Sequence, residues 1–553
     1  MTFKSVSNPK YRTMWMFPRN IRRILPWKLS QISTLLQACD GNIQSQDIQD
    51  SLYEALSGLG VKCRRNSEGV DNAGGFRTYL AQLACLGLFW KSPDGYKTTV
   101  AGDEIISGSS PGKVLRCQLL RMQYPSAYGY GTMVSMSPNI KIKPFSFLIR
   151  LLQDERLGCR LSVKDMAIPV VFAHQDSDYE SCVTRILKLR EHGDDLSAVI
   201  QDVTLVETSR RRVTESANEE DVLSKGIRDA FEIANTAKNY MQAAFLLIEN
   251  EEDSTFSLTT DQYILNEIKP WLSENKIYPV SSDNLEAAQQ FYGRYDKSKG
   301  VRPIVKQERA DGFAALIRNS FFTSIEADPY GVDIPSFVRE QSKKWEASES
   351  QIHSLIEPLI PKRASIERDV LTEASLSGGK KAQLLEKGVT NLLRRLGFSE
   401  SRHIGQLKPK KNRDGGFPDI YIKEKAVPTC GLGDTKATVK YKFDLGDKLK
   451  LGAYYRDCAS EIDPNVPCDY FLYIAGGFER DASKVEQSLA DCQARFGRPV
   501  SAVTVEALLS LSDKKAEGKI KLSDDEFAQE LNSLFKSGKY YSSAEQIVGQ
   551  LSC

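Results

Sequence analysis

Histidine is scarce: His174, His192, His353 and His403 are the four in 553 residues, far apart and with no metal-ligand neighbour at helical spacing. Nucleases built on a histidine general base and hydrolases built on a Ser-His-Asp set are therefore poorly supplied, although a lone histidine can still be recruited. Chemistry resting on carboxylates and lysine needs none. Paired cysteine motifs are also missing. The eleven cysteines stand singly, with no C-x-x-C and no apolar leader at the start, which reads as reduced thiols in a cytoplasm and no structural zinc. No apolar run approaches the length that spans a bilayer, so membrane roles are not expected. Strong net charge is absent too, at +2.

What is present is ordinary in bulk: 41% hydrophobic and 26% charged residues, as in a soluble globular chain. The length is too great for one compact core and implies about three or four domains. The near-neutral total hides local segregation. Seven basic residues and no acid precede Asp40, and between 401 and 460 thirteen Lys plus Arg face seven Asp plus Glu. Either block can face a phosphate backbone or be a solvated face. The first can also be read as an organellar transit peptide, but Pro18 and Pro26 interrupt the helix such a peptide needs, and Trp15 and Trp27 suggest packing.

Along the chain, Leu29, Ile32, Leu35 and Leu36 repeat at three and four, predicting a helix that stops at Asp40-Gly41. Further helices are expected over about Asp47 to Leu59 and Phe76 to Leu86. A hairpin follows, with strands Leu88 to Trp90 and Tyr96 to Thr98 about the turn Ser92-Pro93-Asp94-Gly95. Helices followed by a hairpin are the winged-helix plan, in which the last helix can enter the major groove and bring Arg77 near DNA. The plan returns with a helix over about Val222 to Ala244, strands Phe245 to Ile248 and Thr255 to Leu258, and a helix opening near Thr260. Winged helices also serve protein contacts or scaffolding. Between the two units, Ser162 and Asp165 have the spacing of a helix cap. Ser336 to Pro361 is charged and poor in aromatics, and is expected to be a linker helix. Residues from about 362 alternate helix and strand patterns, as in one α/β domain.

Chemistry concentrates in RDGGFPDIYIKEKAVPTCGLGDTKATVKY. Asp419 heads one strand, Asp434 ends the next after a hairpin, and Lys436 stands two positions on. Side chains two apart on a strand share a face, and an adjacent strand can bring Asp419 beside them. Two hard carboxylates can hold magnesium, and a lysine can orient or help deprotonate a water and stabilise developing charge, which are the needs of phosphodiester cleavage. Upstream lies an amphipathic helix with Leu385, Val389, Leu392 and Leu396 on its buried stripe. Glu386 borders that stripe, either as a third carboxylate or as an ordinary exposed helix residue. Downstream, DYFLYIAGGF reads as a core strand.

This order of helix, hairpin, helix and strand, with these residues, resembles the PD-(D/E)XK nuclease fold, and more narrowly the FokI-type cleavage domain of type IIS restriction enzymes. The likeness extends through LGDTKA, DYFLYIAGGF and SAVTVEALLSLSDKKAEGKIKLSDDEF, nearly all of the last 190 or so residues. It implies metal binding by Asp419 and Asp434 and a catalytic role for Lys436, and it places Glu386 where many relatives of the wider fold carry a helix glutamate. FPRNIRRILPWKL, YKTTVAGDEIISGSSPGKVLRCQLLRMQYPS and the unit around Met241 are similar to the AlwI-like type IIS group, which includes strand-specific nickases. Several members of that group have glutamate and no lysine where this chain has Asp434 and Lys436, so the cutting region follows the FokI type.

The resemblance implies a multidomain chain: mainly α winged-helix DNA-recognition domains over 1–140 and 141–335, a linker helix over 336–361, and an α/β PD-(D/E)XK restriction-endonuclease-like domain over 362–553. The expected function is that of a Mg²⁺-dependent type IIS enzyme that binds a short asymmetric duplex site and cuts at a fixed distance outside it. Arg19, Arg22, Arg23 and Arg77 are candidate DNA contacts, with surface arginine as the plain alternative. Double-strand cutting implies a transient homodimer of cleavage domains or a second subunit, host protection implies a cognate DNA methyltransferase, and the setting implied is a prokaryotic cytoplasm. The competing readings are a strand-specific nicking enzyme, a structure-specific repair or defence nuclease, and a non-catalytic DNA-binding regulator.

Overall fold

The computed structural model describes residues 13–18, 25–38, 46–58, 76–92, 95–129, 137, 139–200, 219–250, 252–274, 276–294, 312–407, 416–457 and 461–551. They divide into two compact units, one of residues 1–322 with 350–365 and one of residues 323–349 with 366–553.

The first unit is helical with two small hairpins. Its opening segment is packed inward: Trp15 and Trp27 are fully buried, and the Trp15 indole donates to the carbonyl of Ala173. Phe17 sits among the rings of Tyr124, Phe145 and Tyr240. The helix Pro26–Ala38 is buried on nearly every side, beyond what its apolar stripe alone requires. Helices Gln46–Gly58 and Phe76–Cys85 follow, then strands β1 (Phe89–Ser92) and β2 (Gly95–Thr98), paired antiparallel with Phe89 opposite Thr98.

Thr99 locks the next helix, Val100–Ile106, onto this hairpin. Its hydroxyl donates to the Gly87 carbonyl and accepts from the Gly102 amide. A Cβ on Gly102 would lie 2.1 Å from the Leu88 carbonyl oxygen, so only glycine allows this approach. Gly102→Ala is expected to destabilise the first unit by about 1–3 kcal/mol through overpacking, read as a lower denaturant midpoint at unchanged slope.

The helix Val163–Ala167 opens with reciprocal bonds between Ser162 and Asp165, as their spacing predicts. Strands β3 (Leu247–Asn250) and β4 (Thr255–Leu258) pair after the helix Glu219–Ala243. The first of them begins later than its apolar pattern suggests, because Phe245 is left-handed and ends the preceding helix. A buried ion pair ties two helices of this unit, with Arg116 2.6 Å from Glu267 and also donating to the Ala244 carbonyl.

The expected linker helix over 336–361 is not continuous. Helix Ile334–Trp345 ends at a left-handed Glu346, helix Glu349–Ile356 follows, and Glu357–Lys362 is a 3₁₀ turn. The break is made by backbone conformation at a residue whose type does not announce it.

In the second unit six strands form one mixed sheet: β5 (Arg402–His403), β6 (Ile420–Ile422), β7 (Cys430–Lys436), β8 (Cys468–Ala475), β9 (Val500–Thr504) and β10 (Tyr540–Tyr541), in the spatial order β10-β9-β8-β7-β6-β5. β6 is antiparallel to both of its neighbours, β5 and β7, and β7 through β10 run parallel. The parallel connections carry helices, so both faces are covered and the central strands are apolar almost throughout. One face packs Ile420, Ile422, Leu472 and Ile474 against the helix Ala382–Arg395 and the C-terminal helices. The other packs Tyr421, Leu432, Phe471 and Tyr473 against helices Leu445–Asp457 and Ala482–Phe496.

Candidate active site

The strand register builds the site. Ile420 pairs with Gly433, so one step further along the hairpin Asp419 comes opposite Asp434. Alternation then sets the faces: Cys430 and Leu432 point toward the helix Leu445–Asp457, and Asp434 and Lys436 follow them. The Lys436 ammonium lies 2.9 Å from Asp434 Oδ2. Asp419 is locked by the strand beside it, its Oδ2 accepting from the Thr435 amide at 2.6 Å and from the Thr435 hydroxyl at 2.9 Å. Its carbonyl accepts from the amides of Ile404 and Gly405, which closes the end of β5 over it.

The electrostatics are those of crowded negative charge. The Asp419 carboxyl is pushed up to about 8, first by burial, then by the charge of Asp434 and a hydrogen bond with its side chain, with Glu386 adding to the rise and the Thr435 amide opposing it. Tyr454 is lifted above its usual range by burial and then by Asp434, Asp419 and Asp447. Burial alone would draw the Lys436 ammonium down, but Asp434, Asp447 and Asp419 outweigh it and hold the group above its ordinary value.

Glu386 lies on the helix Ala382–Arg395, and its Oε2 is 2.7 Å from His403 Nε2 on β5. Both it and Asp419 reach toward Gly405: a Cβ there would lie 3.1 Å from Asp419 Oδ1 and 3.3 Å from Glu386 Oε2. Glycine leaves that space to the two carboxylates. On the expectation read from sequence that this cluster cuts DNA, Gly405→Ala should slow cleavage severalfold while DNA binding stays unchanged, since a misplacement of about 1 Å among reacting groups is felt in rate. A single-turnover assay beside a gel-shift titration checks it.

On the other side of Lys436 stands Asp447, in the first turn of the helix Leu445–Asp457, at 3.5 Å. Burial would raise its carboxyl, but the Tyr441 hydroxyl, Lys436 and Lys450 prevail and keep it below its ordinary value.

Two carboxylates, one of them lifted first by burial and then by the charge of the other, fit a hard divalent cation, which would offset both. Among the described residues no group of three or more His, Cys, Asp or Glu stands ready as a metal cage. The fit therefore rests on Asp419 and Asp434, with most of the coordination left to other ligands.

Of the candidates read from sequence, Asp419, Asp434, Lys436 and Glu386 converge here. Arg19, Arg22 and Arg23 lie outside the described residues, and Arg77 is in the first turn of the helix Phe76–Cys85. His403, Asp447, Tyr441 and Thr435 were not singled out as site residues by pattern. Their partners sit on other elements, and only Thr435, inside Asp-Thr-Lys, carried a local signal.

Residues 346–536, which hold this whole cluster, match the family described as FokI, cleavage domain. Residues 10–264 match the N-terminal domain of the type II restriction endonuclease HgaI, where the sequence stretches suggested the AlwI-like group. No curated protein matches. Among solved structures, the restriction endonuclease FokI aligns over 96% of this chain and 100% of its own at 13% identity, with a TM-score of 0.27. FokI bound to DNA aligns over 94% and 97% at 12% identity, with a TM-score of 0.26. The BpuJ1 endonuclease binding domain, in complex with pyrene- and phenanthrene-modified DNA, covers 48% of this chain and 90% of its own at 13% identity, with a TM-score of 0.31. Overlaps this loose carry no weight beside the two family matches. No helix among the described residues is long and apolar enough to cross a membrane.

Proposed function

We propose that this chain, in which a region matching the HgaI N-terminal domain is joined to one matching the FokI cleavage domain, works as a type IIS restriction endonuclease: residues 1 to about 340 read a short asymmetric duplex site, and Asp419, Asp434 and Lys436 hydrolyse a phosphodiester outside it. The observation that carries the chemical assignment is the convergence of two mutually repelling carboxylates with an ion-paired lysine inside the cleavage region.

Asp419 and Asp434 would hold Mg²⁺ in this reading, and the chemistry it would supply there is charge neutralisation at the phosphate and a more acidic water. The chain's own contribution is placement. Thr435 fixes Asp419 Oδ2, which leaves Oδ1 on the side of Gly405 and Glu386. Glu386, steadied by His403 Nε2, adds negative charge beside Asp419. Lys436 Nζ donates to the attacking water and to the oxygen that gains charge, orienting the first and stabilising the second. Asp434 holds the ammonium within reach of the phosphate.

The two hairpins of the first unit, each following a helix, support winged-helix reading of DNA, with Arg77 at the start of the helix ahead of β1. One such centre cuts one strand, so cutting both requires a second cleavage domain from another copy or another subunit. The wider setting of this proposal is a prokaryotic cytoplasm in which a cognate methyltransferase protects host DNA.

The test is digestion of plasmid DNA with Mg²⁺ followed by sequencing of the ends. Breaks at fixed offsets from one asymmetric motif are expected. Ends scattered without a motif, or uncut plasmid, would overturn the proposal.

A further inference from the structure

Lys436 has two carboxylates around its ammonium, and the proposed reaction uses only one of them. Asp434, at 2.9 Å, is also a cation ligand in the reading above, so its charge is shared once a divalent ion binds. An ammonium left beside a divalent cation is repelled by it, and it keeps its place only if another anion holds it. Asp447 Oδ1, 3.5 Å away, is that anion.

Asp447 is built to stay where it is. Its Oδ2 accepts from the buried Tyr441 hydroxyl at 2.8 Å, its Oδ1 accepts from Lys450 at 3.2 Å, and its own amide donates to Asp444 Oδ1 at 2.6 Å. Tyr441 is fixed in turn. Its amide donates to the Gly477 carbonyl, and its ring lies against Phe443, Tyr473 and Phe478. Lys436 Nζ sits 5.5 Å from the centre of that ring. Asp447 comes from the helix that follows the hairpin, so the lysine is gripped from a separate element of the fold.

We infer that Asp447, oriented by Tyr441, is the positioning residue for Lys436, holding the ammonium in place when Asp434 is engaged with the cation and the scissile phosphate. The inference rests on the proposed nuclease site and adds a residue to it. Asp447 touches neither the phosphate nor the cation in this scheme.

The experiment uses the full-length protein with Asp447→Asn, Asp447→Glu, Tyr441→Phe and Asp434→Ala. Asparagine can still accept from Tyr441, so the fold is retained, and Tyr441→Phe gives a second route that leaves Asp447 itself intact. Single-turnover cleavage at saturating DNA and Mg²⁺ is expected to fall about 10- to 100-fold for Asp447→Asn. DNA affinity in EDTA and the melting temperature should stay near those of the parent. Asp447→Glu recovers much of the rate, and Tyr441→Phe loses less than Asp447→Asn. A second readout is amine acetylation followed by mass spectrometry with Ca²⁺ in place of Mg²⁺: Lys436 labels slowly in the parent and faster in Asp447→Asn. Parent-like cleavage by Asp447→Asn, or Lys436 labelling that does not change, overturns the role of Asp447. If Asp434→Ala is inactive in that case, the site reading stands and this inference alone fails; an active Asp434→Ala would remove both.

Discussion

Alanine at Asp434 is expected to stop cleavage, by ~10³-fold or more, while specific DNA binding in the absence of Mg²⁺ stays within about twofold of the parent. The size of the effect follows from how much one side chain does here. Asp434 is the nearest anion to the Lys436 ammonium and the main charged neighbour of Asp419. Removing it takes away a proposed cation ligand and one of the two anchors of the lysine together. Binding should be spared because recognition is proposed for residues 1 to about 340, none of which belongs to this cluster. Rapid-quench cleavage and fluorescence anisotropy on one labelled duplex separate the two. Continued cutting by this variant would place the chemistry elsewhere; loss of binding equal to the loss of cutting would point to a folding defect instead.

Chelating the divalent ion that Asp419 and Asp434 are proposed to hold is expected to have the next largest effect, abolishing cleavage and leaving a pH-dependent weakness in the second unit. The Asp419 carboxyl is raised in the folded state from an ordinary 3.8 to about 8. A carboxyl raised in this way favours folding fully below its unfolded pKa, and that contribution is lost as pH climbs through the folded value. In EDTA the melting temperature of the second unit should therefore drop by several degrees between about pH 4 and about pH 8. Calcium or magnesium should restore more stability at the top of that window than at the bottom, because the cation replaces the proton that the two carboxylates hold between them. Asp434→Asn removes the repelling charge and should shift the fall to lower pH. Calorimetry with and without calcium reads all of this. Parallel stability curves in the two conditions would show that Asp419 and Asp434 do not form the cation site.

Much of the centre was legible before any fold was known, for a local reason. Asp434 and Lys436 are two apart in a strand, and the period of a strand alone aims them together. Asp419 heads the strand before it in the same hairpin, and the antiparallel register of Ile420 with Gly433 carries it opposite Asp434. The stripe of Leu385, Val389 and Leu392 likewise placed Glu386 at the border of a buried face.

Other features gave no such sign. His403 looked like one more isolated histidine, yet it meets Glu386 from a strand seventeen positions on. Asp447 read as an acid in a basic segment, and only the turn of its helix over β7 brings it to Lys436. The expected linker helix failed at Glu346, a residue type that normally continues a helix but here is left-handed. β3 started late because Phe245 adopts the same rare conformation.

The amino-acid order by itself determined the kind of chemistry available, two carboxylates and a lysine with little histidine to compete, and the strand geometry that points Asp434 and Lys436 one way. Tertiary structure decided which other charges share that space: His403 on Glu386, Thr435 on Asp419, and Asp447 behind Lys436. The difference is physical. Strand and helix periods are properties of a few consecutive residues, whereas a contact between two elements depends on how every segment between them packs.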